Sequence, residues 1–232
     1  MNKLYTYCIP YDDGAAPNPY WGTCTLVICK PVIRRTAQIG DWIVATGSKN
    51  ARVLGDISNK IVYAMKVTDK LPMKKYDEHC KNVLTEKIPD MHSDDFRRWK
   101  GDCIYDFSKS DKNPSQRNGV HNEDNIDTDL GGEFALLSDH YYYFGSEPVD
   151  MPDEFKEIIH NQQGHKSNAN DKYKEQFVNW LEIEHKDKLN NPTLIPGRLL
   201  EKDLTDDFIN NCSGCRKKSA EEDEEEFKKG NC

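Results

Sequence analysis

The chain has 232 residues, of which 36% are hydrophobic and 31% are charged, with a net charge of −8 at pH 7. This length allows one large domain or two small ones with a full core, and the 11 Tyr, 8 Phe and 4 Trp exclude a globally disordered chain. The charge is uneven, since residues 1–75 hold eleven Lys or Arg against five Asp, and the acidity therefore does not exclude a nucleic-acid partner.

Apolar and alternating runs predict strands through the first two thirds of the chain. The first strand covers Leu4–Ile9, where Pro10 ends it. Two prolines make residues 15–19 a loop, and the basic segment 30–35 is predicted to be a loop that leads into a turn at Gly40-Asp41. Further strands are expected at residues 23–29, 42–46, 61–67, 133–137 and 140–144.

Helices are expected mainly in the last third. Residues 74–86 predict one helix, and the polar segment 108–130 predicts a long loop. Pro152 indicates a helix start, with a helix at 154–161 and a second at 170–185. From residue 213 the sequence is charged and of low complexity, which is typical of a flexible tail.

This order of elements predicts an α+β fold around a mixed or antiparallel sheet, closed as a β-barrel, with helices appended at the C-terminal end. We expect a single domain over residues 1–212. Its barrel core would cover about 1–150 and its helical addition about 151–200, followed by the tail at 213–232.

The sequence predicts a reduced cytoplasmic protein without a membrane partner, because it has no apolar run near 18 residues and several of its eight Cys lie inside apolar runs. No cofactor or metal is expected, since there is no P-loop, no GxGxxG and no HExxH. The pair Cys212 and Cys215 has the spacing of half a four-ligand zinc site, but no second such pair follows, and this favours an incidental pair near the tail.

Two segments could bind a base and its phosphate. The proline-stiffened loop carries Tyr20 and Trp21, which can stack on a flat base or simply pack in the core. The guanidinium forks of Arg34 and Arg35, with Lys30 beside them, match phosphate geometry, or they form a solvated loop. Trp42 faces either the core or a pocket.

A polar set near residue 140 invites an enzymatic interpretation. Ser138, Asp139 and His140 are adjacent, and neighbouring residues of a strand point to opposite faces, so the three alone make a poor catalytic triad. His165 follows a predicted helix end, where it could bind an anion or shuttle a proton. Alternatively, the segment is only a helix C-cap with Gly164 in the left-handed conformation. An enzyme would need His165 and the 138–140 segment in one cleft.

The chain resembles the second nucleotide modification associated domain family, over about residues 1–200. The motifs that carry the resemblance are residues 16–22, 24–26, 29–31 and 33–35, Gly40 to Ser48, residues 62–65, 101–105 and 137–145, and Gly164-His165. The resemblance implies a bacterial or phage protein linked to modified DNA bases. A weaker similarity in the order of elements to PUA-like barrels, including the EVE, YTH and ASCH groups, implies a base held against an aromatic wall.

The leading hypothesis is therefore recognition of a modified base or nucleotide, in DNA or free, in a bacterial or phage modification or defence context. Tyr20, Trp21 or Trp42 would stack the base, and Asp12 or Asn18 would read its edge. Lys30, Arg34 and Arg35 would hold phosphate. The alternatives are an enzyme acting on a nucleotide or base through Ser138, Asp139, His140 and His165, and a protein-interaction module that uses the acidic tail.

Overall fold

The computed structural model describes residues 2–51 and 53–197. The strands are β1 (Leu4–Ile9), β2 (Cys24–Leu26), β3 (Trp42–Gly47), β4 (Lys60–Lys66), β5 (Asp69–Pro72), β6 (Tyr105–Asp106), β7 (Ser115–Gln116), β8 (Phe134–Ser138), β9 (Tyr141–Tyr143) and β10 (Val149–Asp150). The α-helices are α1 (Pro31–Thr36), α2 (Met73–Asn82), α3 (Phe96–Trp99), α4 (Ile126–Leu130) and α5 (Lys174–Glu184). Short 3-10 helices lie at Thr85–Lys87, Glu123–Asn125, Asp153–Ile158, Asn168–Tyr173 and Lys186–Lys188.

A mixed sheet forms the centre of the fold. β1 pairs in parallel with β3, β3 pairs antiparallel with β4, and β9 and β10 both pair antiparallel with β4. Because side chains alternate along a strand, Tyr5, Ile43 and Met65 face one side of this sheet and Leu4 and Trp42 face the other. Each face is covered by its own buried apolar cluster, so the sheet lies inside the molecule.

Two smaller sheets complete the β structure, β2-β8-β5 and β6-β7, both antiparallel. The predicted α+β class and mixed sheet are confirmed, and the strand Leu4–Ile9 has its predicted bounds. Within the two described ranges the sheets are open and no closed barrel is formed. The PUA-like barrel therefore stays a hypothesis.

The basic segment differs most from the prediction, because it is a helix and not a loop. Pro31 occupies the first turn of α1, where its missing N–H leaves no hydrogen bond unmade. The turn that follows is as predicted: Gly40 has φ +94°, and the Asp41 carboxylate accepts the backbone N–H of Lys3 at 2.7 Å and of Gln38 at 2.8 Å. The predicted loop at 108–130 also contains structure, namely β7 and α4.

The C-terminal elements cover the second face of the central sheet. Phe155 and Phe177 lie edge to face at 5.5 Å between their ring centroids and pack in the cluster that contains Leu4 and Trp42. The helix predicted at 154–161 is the 3-10 helix Asp153–Ile158, and the helix predicted at 170–185 is a 3-10 turn followed by α5. The predicted tail at 213–232 and the Cys212–Cys215 pair lie outside the described residues.

In the described part of the chain no helix has the length and apolar character needed to cross a bilayer.

Candidate functional site

An open cleft with a volume of about 530 Å³ lies between the loop that carries Tyr20, the start of α3, and residues 192–195. We call it the aromatic cleft. It is lined by Tyr20, Asp94, Asp95, Phe96, Arg97, Pro192, Thr193, Leu194 and Ile195. Its volume is within the range of sites for small ligands.

The wall of the aromatic cleft is built from stacked side chains. The Tyr20 ring is buried and meets the Phe96 ring edge to face, at 6.0 Å between centroids and 89° between planes. Trp21 has φ 66°, and the guanidinium carbon of Arg97 lies 4.6 Å from the centre of its ring. Asp95 caps α3 and accepts three hydrogen bonds from the Arg97 guanidinium, at 2.9 Å, 3.0 Å and 2.5 Å.

The charges that line the cleft favour a ligand that donates hydrogen bonds over an anionic ligand. The hydrogen bonds from Arg97 lower the pKa of Asp95, so this carboxylate neutralises the arginine that lines the cleft among the described residues. Asp94 is exposed and adds a second acidic group. A ligand that presents N–H groups therefore matches the cleft better than a phosphate does.

Buried polar groups anchor the loop beneath Tyr20. The Asn18 amide donates to the Lys100 carbonyl at 2.8 Å, and its oxygen accepts the Tyr20 N–H at 3.2 Å and the Lys87 ammonium at 2.7 Å. Lys87 also donates to the Thr23 carbonyl at 2.7 Å. The Asn18 side chain, predicted to read a base edge, is fully buried and holds the loop in place.

Asp12 lies close to the cleft wall but faces a separate, smaller cavity, which is also lined by Ile9, Leu54 and Gly145. Its carboxylate accepts the Tyr143 hydroxyl at 2.6 Å. Burial raises the pKa of Asp12 to about 7, with a smaller contribution from Asp13. The pKa of Tyr20 is raised mainly by burial and further by the Asp12 carboxylate. The two predicted base-binding residues therefore lie close enough to interact electrostatically.

Trp42 lies in the core of the molecule. Its ring stacks on Tyr142 with centroids 6.4 Å apart and planes at 20°, and the edge of His140 meets it at 5.4 Å. Only 4% of the residue is exposed. The structure thus places Trp42 away from the aromatic cleft, in the cluster that α5 covers.

The basic residues predicted to hold phosphate divide into buried and accessible groups. Arg34 is fully buried, and its guanidinium donates to the carbonyls of Cys29 at 2.8 Å, of Phe134 at 3.1 Å, and of Asp129. Burial lowers its pKa to about 10. The guanidinium of Arg34, which was predicted to bind phosphate, therefore binds backbone carbonyls and stabilises the fold.

Lys30 and Arg35 are partly exposed. The Lys30 ammonium lies 5.0 Å from the centre of the Tyr7 ring, and Arg35 donates to the Gly131 carbonyl at 2.7 Å. Neither residue lines the aromatic cleft.

The polar set of the enzymatic alternative is divided between the two faces of the central sheet. The His165 ring lies 5.7 Å from that of Tyr5, which belongs to one face, and the His140 ring contacts Trp42, which belongs to the other. Burial lowers the pKa of His165 to about 4, and Lys30 adds to this effect.

Of the two remaining members of that set, Ser138 is the last residue of β8 and Asp139 lies in the turn between β8 and β9. The Ser138 hydroxyl donates to the carbonyl of His140 at 2.9 Å, and Asp139 is exposed. The enzymatic alternative requires the four residues to lie in one cleft, but His165 and His140 lie on opposite faces of the central sheet.

Sequence reasoning missed the other walls of the aromatic cleft. Phe96 and Arg97 lie in a short helix without apolar periodicity, and residues 192–195 follow them by about a hundred positions. One signal was present, since an Asp-Asp-Phe-Arg-Arg-Trp run concentrates stacking and charged groups in six residues.

A protein-family model matches most of the chain. No curated protein matches the chain, and no solved structure does. The family model described as nucleotide modification associated domain 2 matches residues 1–199, which is most of the chain and includes every residue of the aromatic cleft. The chain therefore belongs to the nucleotide modification associated domain 2 family.

Proposed function

We propose that the protein recognises a modified base or nucleotide, in DNA or free, by taking the base into the aromatic cleft. One observation carries this proposal: Tyr20, a predicted stacking residue, lines an open cleft together with Phe96 and Arg97, in a member of a family associated with nucleotide modification. Trp21, the other predicted stacking residue, contacts Arg97. Base–aromatic stacking contributes about 1–3 kcal/mol per base and accepts any flat ring.

The acidic groups of the cleft suggest which edge of the base they would read. Carboxylates accept hydrogen bonds, so Asp94 suits an amino group or another N–H donor on the base or on its modification. Since Asp95 is already bonded to Arg97, its role is to hold the arginine that stacks on Trp21. We leave Asp12 out of the site as well, because it faces the separate smaller cavity and already accepts the Tyr143 hydroxyl.

Phosphate binding has a smaller part in this proposal. We leave Arg34, Asn18 and Trp42 out of the site because they do not line the cleft and are committed to other contacts. Lys30 and Arg35 remain candidates for phosphate contacts outside the cleft when the base is part of DNA. A bacterial or phage DNA-modification or defence system is the context that we propose.

The test is fluorescence-detected binding of short oligonucleotides and of free nucleosides, each with an unmodified or a modified cytosine, adenine or thymine. We expect one modified base to bind at least tenfold more tightly than its unmodified counterpart, and Phe96→Ala to weaken that binding by about tenfold or more through lost stacking. Arg97→Gln should weaken it as well.

Lys75→Gln is the matched control for Arg97→Gln, because Lys75 also pairs with a neighbouring carboxylate, that of Glu78 at 2.8 Å, but does not line the cleft. It should leave binding unchanged. Equal affinity for modified and unmodified ligands, or no effect of Phe96→Ala on a folded protein, would contradict the proposal.

A further inference from the structure

A second cluster of reactive side chains lies around the start of α1. The Cys29 sulfur lies 3.6 Å from Nε2 of His121, and Nδ1 of the same imidazole lies 2.5 Å from Oδ2 of Asp129. The Tyr105 hydroxyl donates to that Asp129 oxygen at 2.9 Å. The three groups thus form a chain from sulfur to imidazole to carboxylate, which is the order of a nucleophile, its base and the group that orients the base.

The surroundings hold this cluster rigidly. The side chains of His121 and Asp129 are fully buried, whereas Cys29 is half-buried. Asp129 also accepts the Cys29 N–H at 2.8 Å, and Arg34 donates to the Cys29 carbonyl at 2.8 Å. Both sides of the Cys29 backbone are thereby fixed.

The backbone of Cys29 is strained, with φ 58°, and the φ of Lys30 is 42°. Non-glycine residues at positive φ are strained, and such residues cluster at functional sites. Here the strain belongs to the residue whose sulfur points at the buried histidine.

We propose that Cys29, His121 and Asp129 form a nucleophilic thiol site that reacts with an electrophilic carbon carrying a leaving group. Cys29 is disulfide-bonded in this structure, so a dithiol or phosphine reductant must first cleave the S–S bond with two electrons and two protons, which releases the Cys29 thiol that reacts. His121 Nε2 accepts the thiol proton, the sulfur attacks the carbon, and an S–C bond forms as the bond to the leaving group breaks. Asp129 holds Nδ1 and stabilises the imidazolium.

Four other cysteines in the described ranges have free thiols, and they lack this arrangement. The Cys8 thiol is half-buried and lies 3.7 Å from the Gly47 carbonyl oxygen. Burial raises the pKa of Cys8 and raises that of Cys24 to about 12. Cys8 is therefore an internal control with similar exposure and no histidine partner.

The test is alkylation of the full chain by iodoacetamide after reduction with a phosphine, from pH 5 to pH 9, with the rate at each cysteine read by peptide mass spectrometry. In this reaction the S–C bond forms as iodide leaves, and the thiol proton remains on His121. We expect Cys29 to react at least about tenfold faster than Cys8 at pH 6, because an ordinary thiol with a pKa near 8.5 has little thiolate there.

His121→Asn should remove this advantage and move the pH profile of Cys29 to that of an ordinary thiol, and Asp129→Asn should move it in the same direction. The wild-type profile decides the question even where a variant fails to fold. A Cys29 rate that rises only above pH 8, or that equals the Cys8 rate at pH 6, would overturn the proposal.

Discussion

At the scale of single residues, the burial of a side chain indicates better than its chemical type whether it can contact a ligand. A guanidinium fork fits a carbonyl cage as well as a phosphate, and Arg34 occupies such a cage while its neighbour Arg35 is accessible. An amide likewise binds whatever surrounds it, and Asn18 is saturated by Lys87, Lys100 and the Tyr20 backbone. Residues that keep an exposed edge, such as Asp94, are therefore the better candidates for ligand contacts.

Asp12 gives a prediction that depends on pH. Its pKa is raised to about 7 in the folded protein, against about 3.9 for an unfolded chain. Between pH 4 and 7 the folded state holds a proton that the unfolded state has lost, so the contribution of Asp12 to stability falls as the pH rises through this window. Well above pH 7 the contribution of Asp12 to stability no longer changes with pH.

The measurement is urea unfolding of the wild type and of Asp12→Asn at pH 5 and pH 6. Asparagine keeps the shape and an acceptor for the Tyr143 hydroxyl and does not titrate. The free energy of unfolding of the wild type should fall relative to that of the variant by about 1.4 kcal/mol per pH unit. A difference between the two proteins that stays constant would show that Asp12 is already ionised in the folded state.

At the scale of elements, the sequence predicted strands better than it predicted their partners. Alternation located Leu4–Ile9 and most of β3, β4, β8 and β9, because period-two burial is a local property. The parallel pairing of β1 with β3 is not local, and it requires the intervening segment to cross over. The six residues of α1 are too few to show helical periodicity, which is why a basic loop was expected there.

The candidate sites could not be predicted in full because they, too, join residues that are far apart in the sequence. Tyr20 and Trp21 could be chosen from the sequence because they are adjacent in a proline-rich loop. Their partners Phe96 and Arg97 come from a segment about 75 residues away, and His121 and Asp129 lie 92 and 100 residues after Cys29. A single sequence holds no signal for such distant contacts.

The loop that presents Tyr20 depends on one buried cation. Burial lowers the pKa of Lys87, and the nearby Asp102 carboxylate opposes this effect. Lys87→Met would leave the buried acceptors of Asn18 and Thr23 without their ammonium donor and would remove the cation that lowers the pKa of Asp102. Leaving such buried acceptors unsatisfied costs about 1–3 kcal/mol for each.

We therefore expect the free energy of unfolding of Lys87→Met to fall by this amount in urea, with faster amide hydrogen exchange over residues 18–25 and weaker binding in the cleft. Lys75→Met is the control, because Lys75 is exposed on α2 and its ion pair contributes at most about 1 kcal/mol. Equal loss of stability in the two variants would mean that Lys87 does not hold the loop.

At the scale of the whole molecule, several of the Lys and Arg residues that make residues 1–75 positive are engaged in contacts within the protein. Arg34 is buried, Lys60 pairs with Asp150 at 2.7 Å, and Lys74 pairs with Asp111 at 2.9 Å. Lys70 donates to the carbonyls of Arg35 and Ala37. Much of the uneven charge along the sequence thus belongs to the fold and does not form a broad phosphate-binding surface.

This distribution predicts a weak dependence of binding on salt. If Lys30 and Arg35 are the two phosphate contacts, the slope of the logarithm of the binding constant against the logarithm of salt concentration should be no steeper than about −1.8 for duplex DNA or about −1.4 for a single strand. The preference for the modified base should persist at every salt concentration, because it arises in the aromatic cleft. The measurement is a titration of one modified and one unmodified oligonucleotide between about 50 and 200 mM salt. A slope steeper than about −4 would show that a larger basic surface carries the affinity and that the cleft does not dominate recognition.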